Sequence, residues 1–188
     1  MQILTPAAER LLSSASALFA REGIRGVGID RILAEAGVAK ATLYQAFGSK
    51  EALVVAHLER RDAADRQAYR ARLASAPPGP ARVLASFDLG AKNAATGGFL
   101  GCLYVNAMSE FPEPDQPIAR AVRQHRDWVQ EQWLEALGPH PEARRLVEEI
   151  QIAYDGALLG SKIAHSAEPI ELAREIVRAR LALAGFDV

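Results

Sequence analysis

Lys40, Ala41, Thr42, Tyr44 and Gln45 fall within six residues. On one short helix they share an outward face, while Val38, Leu43 and Phe47, with Ile32 before them, are spaced to build a small core. The outward types suit contact with base edges in a DNA major groove. A Thr methyl can touch thymine, Gln can bond adenine at two edges, and Ala lets the backbone approach. Arg25, Arg31, Lys40 and Lys50 surround this face and are suited to phosphates. Such contacts fix register and supply affinity without reading sequence. The Tyr44 hydroxyl can also donate to a phosphate.

The elements that must position these residues are helical. Leu11, Leu12, Ala15, Leu18 and Phe19 lie on one face of a first helix that starts near Thr5-Pro6 and ends at Gly23. Asp30 is placed to cap a short helix running to Ala36, and Gly37 breaks it. A second short helix spans roughly 40–47. Ser49 caps a long helix reaching about residue 75, with Glu51 in its first turn. Two short helices joined at a glycine after a longer one outline a helix-turn-helix, whose second helix enters the major groove.

Beyond it, Ala76-Pro77-Pro78-Gly79-Pro80 is the clearest break in the chain and is read as a stiff corner between helices. Further helices are expected near 80–95, 101–110, 117–137, 141–165 and 169–184, punctuated by Pro112, Pro114, Pro117, Gly138-Pro139, Pro141 and Pro169. No stretch shows the sustained alternation of a strand, and 36 alanines favour helix, so the fold class is all-α.

The chain has 188 residues and a formal net charge of −1. Near-neutrality speaks against a wholly basic nucleic-acid binder, but the charge is uneven. Residues 1–72 carry +3 and residues 73–188 carry −4. The positive excess sits with the helix-turn-helix. The single cysteine, Cys102, excludes an internal disulfide framework and a cysteine-rich zinc site, and is expected to be a small buried residue. No apolar run reaches the ~18 residues of a membrane span, and no secretory signal is visible, so a cytoplasmic protein without a membrane partner is expected.

The run Gly37-Val38-Ala39-Lys40-Ala41-Thr42-Leu43-Tyr44-Gln45-Ala46-Phe47-Gly48-Ser49-Lys50-Glu51-Ala52-Leu53 resembles the signature of the TetR (tetracycline-repressor-like) family of transcriptional regulators. Phe19-Ala20 and Gly23-Ile24 resemble that family's first-helix ending. The resemblance covers about residues 5–55. It implies a DNA-binding part, residues 1–50, and a helical effector-binding and dimerisation part, residues 51–188. There are departures. Ala39 stands where the family has a capping Ser, Ala41 where Gly is frequent, Leu33 where a small residue lets helices cross, and Gly28 where Ser or Thr often meets phosphate.

Gly101 to Pro112 is similar to a stretch found in one branch of the family. In such proteins the middle helices enclose an effector pocket. Candidate lining here is Phe87, Tyr104, Asn106, Met108, Phe111, His125, Trp128 and Tyr154, with Trp133 beside them. Few of these carry charge, so an apolar or aromatic small molecule is expected. His125 falls on the apolar stripe of its helix, either as a hydrogen-bonder in the pocket or as a histidine satisfied within the core. The helix near 145–164 is apolar on most sides, and the last helix adds Ile170, Leu172, Ile176, Val177, Leu181 and Leu183. One small subunit offers limited cover for both, so a homodimer through the two C-terminal helices is expected.

The implied function is a ligand-responsive regulator, a repressor released from a palindromic operator. The alternative is a helical small-molecule-binding protein or adaptor without DNA binding. An enzyme is not expected. No catalytic triad signature appears, His57, His125, His140 and His165 lack metal-ligand spacing, and Gly97-Gly98 with Gly101 lacks the strand a phosphate loop needs. No cofactor or metal is expected.

Overall fold

Thr5 accepts the Ala8 N–H and opens α1 (Pro6–Glu22), as its place before Pro6 predicts. The computed structural model describes residues 4–96 and 99–188. Among them α1 is followed by α2 (Ile29–Ala36), α3 (Lys40–Ala46), α4 (Lys50–Leu73), α5 (Pro80–Ala95), α6 (Leu103–Glu110), α7 (Pro117–Leu137), α8 (Ala143–Ala164) and α9 (Glu168–Leu183). No strand occurs among the described residues, and the protein is all-α. Gly97 and Gly98, weighed above as part of a phosphate loop, lie outside the described residues. No described helix is long and apolar enough to cross a membrane.

The helices pack into two units, Met1–Ala63 with Leu103–Gln124, and Ala64–Cys102 with His125–Val188. Residues 103–124 therefore group by packing with the N-terminal helices. In the first unit α1 buries Leu11, Leu12, Ala15, Leu18 and Phe19, packing against α2 and α3. Ile32 of α2 and Leu43 of α3 are fully enclosed, while Val38 and Phe47 are half-buried. Leu33 is also buried, so the larger side chain is accommodated inside the crossing. The turn depends on Gly37, which takes a left-handed conformation (φ +62°) and donates to the carbonyls of Leu33 and Ala34.

Asp30 does not cap α2. The helix begins two residues earlier, with Gly28 at the cap position, and Asp30 lies in its first turn, where its charge still complements the helix dipole. Ser49 does accept the Ala52 N–H at the start of α4.

A polar seam crosses this unit. Arg60 donates to Glu9, to the Leu12 carbonyl and to the Ser16 hydroxyl, at 2.8, 3.1 and 2.7 Å. The Ser16 hydroxyl donates to the Leu12 carbonyl, so its proton is already used. His57 Nδ1, 2.8 Å away, must then be the donor to Ser16, which leaves Nε2 buried as an unpaired acceptor. Burial first, and the Arg60 and Arg61 charges second, push the His57 pKa down to about 4, so the ring is neutral.

In the second unit α5 packs against α8 and α9, and α8 against α9. Val83, Phe87, Trp133, Leu146, Ile150 and Ile170 are fully or almost fully enclosed. The Pro77 to Pro80 stretch lies wholly inside this unit and turns the chain at Gly79 (φ +91°), so it is a corner and not an interdomain linker. Asp88 of α5 receives Arg72 at 2.7 Å and Arg174 at 2.8 Å, tying the end of α4 and α9 to α5.

Candidate nucleic-acid interface and effector region

α3 is held by Leu43, its one fully buried residue, and by α1 beneath it. The opposite face is open. Lys40, Ala41, Tyr44 and Gln45 are exposed, Tyr44 by 49%, and Thr42 is partly covered. The structure thus brings together on one surface the five residues whose types suggested base contact. Ala39 precedes the helix without a side-chain cap, as its chemistry requires. Arg31 is exposed on α2, its guanidinium 4.0 Å from Glu35 one turn along.

The other two basic residues are engaged near the loop between α1 and α2. Lys50 donates to the Ile24 carbonyl at 2.7 Å. Burial lowers its pKa, opposed by the Glu110 charge. An ammonium has three donors, so this bond leaves two for other partners. Arg25 is exposed and lies over the Phe111 ring, 4.9 Å from its centre. Arg25, Lys50, Glu51, Val54, Phe111 and Gln116 line a cavity of about 390 Å³ in this unit.

The expected effector lining divides between the units. Tyr104, Asn106 and Met108 lie on α6 in the first unit, Tyr104 buried and the others half-buried. Phe111, just past α6, faces Arg25 there. In the second unit Phe87 is fully buried and meets Tyr154 edge-on, with ring centres 5.0 Å apart; Trp133 meets Tyr154 at 6.0 Å. Trp133 Nε1 donates to Ser86 Oγ at 2.9 Å, and the Tyr154 hydroxyl donates to the Ser86 carbonyl at 3.3 Å. Gly90 is needed for this packing, because a Cβ there would stand 2.9 Å from the Tyr154 oxygen. Trp128 is half-buried, edge-on to Tyr69 at 5.6 Å with Arg66 4.7 Å over its face. His125 is half-buried near the start of that unit's stretch of α7.

Two polar features have partners that the sequence does not name, although Asp155, in a mostly apolar helix, reads as a polar contact in a pocket or at an interface. Arg126 forms a bidentate pair with Asp155, at 3.0 and 2.7 Å, and Gln151 donates to the same carboxylate. The pairing with Asp155 holds the Arg126 pKa above its ordinary value. The other is Glu110, the last residue of α6, which accepts both the Ile24 and Arg25 N–H groups. One signal was readable. A carboxylate at a helix C-terminus opposes the helix dipole and calls for compensating donors.

On α8 and α9 a row of large apolar side chains is left uncovered. Ile152 and Ile163 are 73% exposed and Leu159 56%, spaced on one stripe of α8; Leu172, Ile176 and Leu183 do the same on α9. Another face of α8 buries Leu146, Val147, Ile150, Ala157 and Leu158 within its own unit.

Residues 11–57 match the model of the bacterial regulatory proteins of the tetR family. The HTH-type transcriptional repressor NemR of Escherichia coli K12 is 30% identical over 174 residues, 87% of this chain and 87% of that protein. The chain belongs to the TetR family. Solved structures agree. A TetR-family transcriptional regulator from Streptomyces coelicolor superposes with a TM-score of 0.82 at 32% identity, over 92% of this chain and 95% of that one. The reduced form of E. coli NemR gives a TM-score of 0.81 at 28% identity, over 93% and 96%. TetR-family membership makes the chain a helix-turn-helix transcriptional regulator, and the relatives matched are regulators, not enzymes.

Proposed function

We propose that the chain is a dimeric, ligand-responsive repressor whose α3 reads an operator. The observation that carries this reading is the exposed α3 face of Lys40, Ala41, Tyr44 and Gln45, with Thr42 at its edge, supported from below by Leu43. Gln45, Thr42 and Ala41 address base edges, and Lys40, Tyr44, Arg31, Arg25 and Lys50 address phosphates. Lys40 and Lys50 each begin a helix, where a cation opposes the dipole. An external phosphate would relieve that mismatch. DNA binding belongs to residues 1–50 and effector binding with dimerisation to residues 51–188.

The uncovered stripes of α8 and α9 support a two-fold dimer through these helices. Such a dimer sets two α3 helices about 34 Å apart on a roughly palindromic site. The effector is an apolar or aromatic small molecule, with Phe87, His125, Trp128 and Tyr154 of the second unit as its candidate contacts. It releases the operator only if it binds the DNA-incompetent state more tightly, since equal affinity shifts nothing. The repressor sense follows the similarity to NemR. A regulator of this kind works in the cytoplasm, beside the chromosome.

The test is selection of genomic DNA fragments by the apo protein, with mass spectrometry of small molecules carried through its purification. Enrichment of a discrete palindromic fragment is expected. Retention of none favours the adaptor reading, which the missing α3 cap at Ala39 supports, and retention of all fragments alike contradicts operator recognition.

A further inference from the structure

The loop between α1 and α2 is held from several sides within the first unit. The Glu110 carboxylate accepts the Ile24 N–H through Oε1 at 2.9 Å and the Arg25 N–H through Oε2 at 2.6 Å. On the other edge of the same loop Lys50 donates to the Ile24 carbonyl at 2.7 Å. The Arg25 guanidinium rests over Phe111, the residue that follows Glu110. Arg25 is therefore fixed by its backbone and its side chain, both from residues at the end of α6. Two consecutive N–H groups on one carboxylate form charge-assisted bonds, roughly twice as strong as neutral ones. α6 gains nothing locally from an acid at its C-terminus; the compensation comes from the loop.

We propose that Glu110 is a positioning residue for DNA recognition, its carboxylate and the neighbouring Phe111 ring setting the α1–α2 loop and Arg25 in register with the phosphate backbone. This rests on the DNA-binding reading above. The claim has a sign that charge alone does not give. An acid near DNA repels it, so Coulomb's law predicts tighter binding when Glu110 is removed. Positioning predicts weaker binding, and only where register matters. Specific binding needs fixed phosphate contacts, while non-specific binding needs only charge.

The experiment uses the full-length protein, a duplex selected by the wild type from a random library, and an unselected duplex of equal length. Glu110→Gln keeps the side chain's size but turns an NH₂ group toward one backbone N–H. It is expected to weaken the selected duplex about tenfold, leave the unselected duplex unchanged or slightly tighter, and keep the salt dependence. Hydrogen exchange should quicken over residues 23–27 while α1 stays protected. Glu110→Ala should do the same with a larger loss, and Phe111→Leu with a smaller one. The inference is overturned if Glu110→Gln binds the selected duplex as tightly as the wild type or tighter. It is equally overturned if both duplexes are lost together with α1 protection, which marks a folding role. A wild type that selects no duplex overturns the DNA-binding reading and this inference with it.

Discussion

Ile163→Asp should break the dimer. Ile163 is 73% exposed on the α8 stripe and shares it with Ile152 and Leu159. Fully burying an isoleucine side chain is worth about 1.5–3 kcal/mol, so covering the exposed three quarters contributes about 1–2 kcal/mol per protomer. A two-fold interface counts each substitution twice, giving about 2–4 kcal/mol. At about 1.4 kcal/mol per factor of ten, the dimer Kd rises by roughly one and a half to three orders of magnitude. Burying the new carboxylate adds to this, so the figure is a lower bound. Sedimentation velocity across a hundredfold dilution series reads the change, and circular dichroism confirms that helix content is kept. Asn93→Asp, at an exposed position of α5, serves as the control and should leave the Kd unaltered. The reasoning is refuted if Ile163→Asp dimerises as the wild type does, or if the wild type is a monomer at micromolar concentration.

His57 has a folded pKa of about 4 against an ordinary 6.5. The unfolded chain therefore binds more protons between these values, and stability falls as pH drops from about 6.5 to about 4, by on the order of 3 kcal/mol per protomer. Urea melts at pH 7 and pH 4.5 should show a decline that His57→Leu flattens; equal slopes would count against it. Trp133→Phe leaves Ser86 Oγ buried without its indole donor and should cost about 1–3 kcal/mol in the same assay, with no effect expected if the 2.9 Å bond is absent in solution. Gln45→Ala should change which base is preferred in a selected duplex. Lys40→Ala should weaken all duplexes alike and reduce the salt slope by about two per dimer. The opposite pattern would reverse the two roles.

Most of the helical frame was legible because it is local. Thr5-Pro6, Gly37, Gly48-Ser49 and the later prolines punctuate the chain where the helices begin and end. Asp30 misled because Gly28, with no side chain to cap, still adopts the extended conformation that starts a helix. The α3 face was readable for the same local reason, since one buried Leu43 fixes which side points out. The loop contacts were not. Glu110 is 85 residues from Arg25 in the chain, and nothing in either neighbourhood names the other. The Arg126–Asp155 pair spans 29 residues and is equally silent. Aromatic spacing likewise could not tell that Phe111 would face Arg25 while Phe87 and Tyr154 packed together.

In this scheme two copies of α3 recognise one operator through base contacts braced by phosphate contacts. Fluorescence anisotropy of a selected palindromic duplex, titrated with apo protein across salt concentrations, tests it most directly. With Arg25, Arg31, Lys40 and Lys50 each neutralising one phosphate per protomer, the slope of log affinity against log salt should be about −7, at two protomers per duplex. A slope near zero, a single protomer per duplex, or equal affinity for a scrambled duplex would contradict the account.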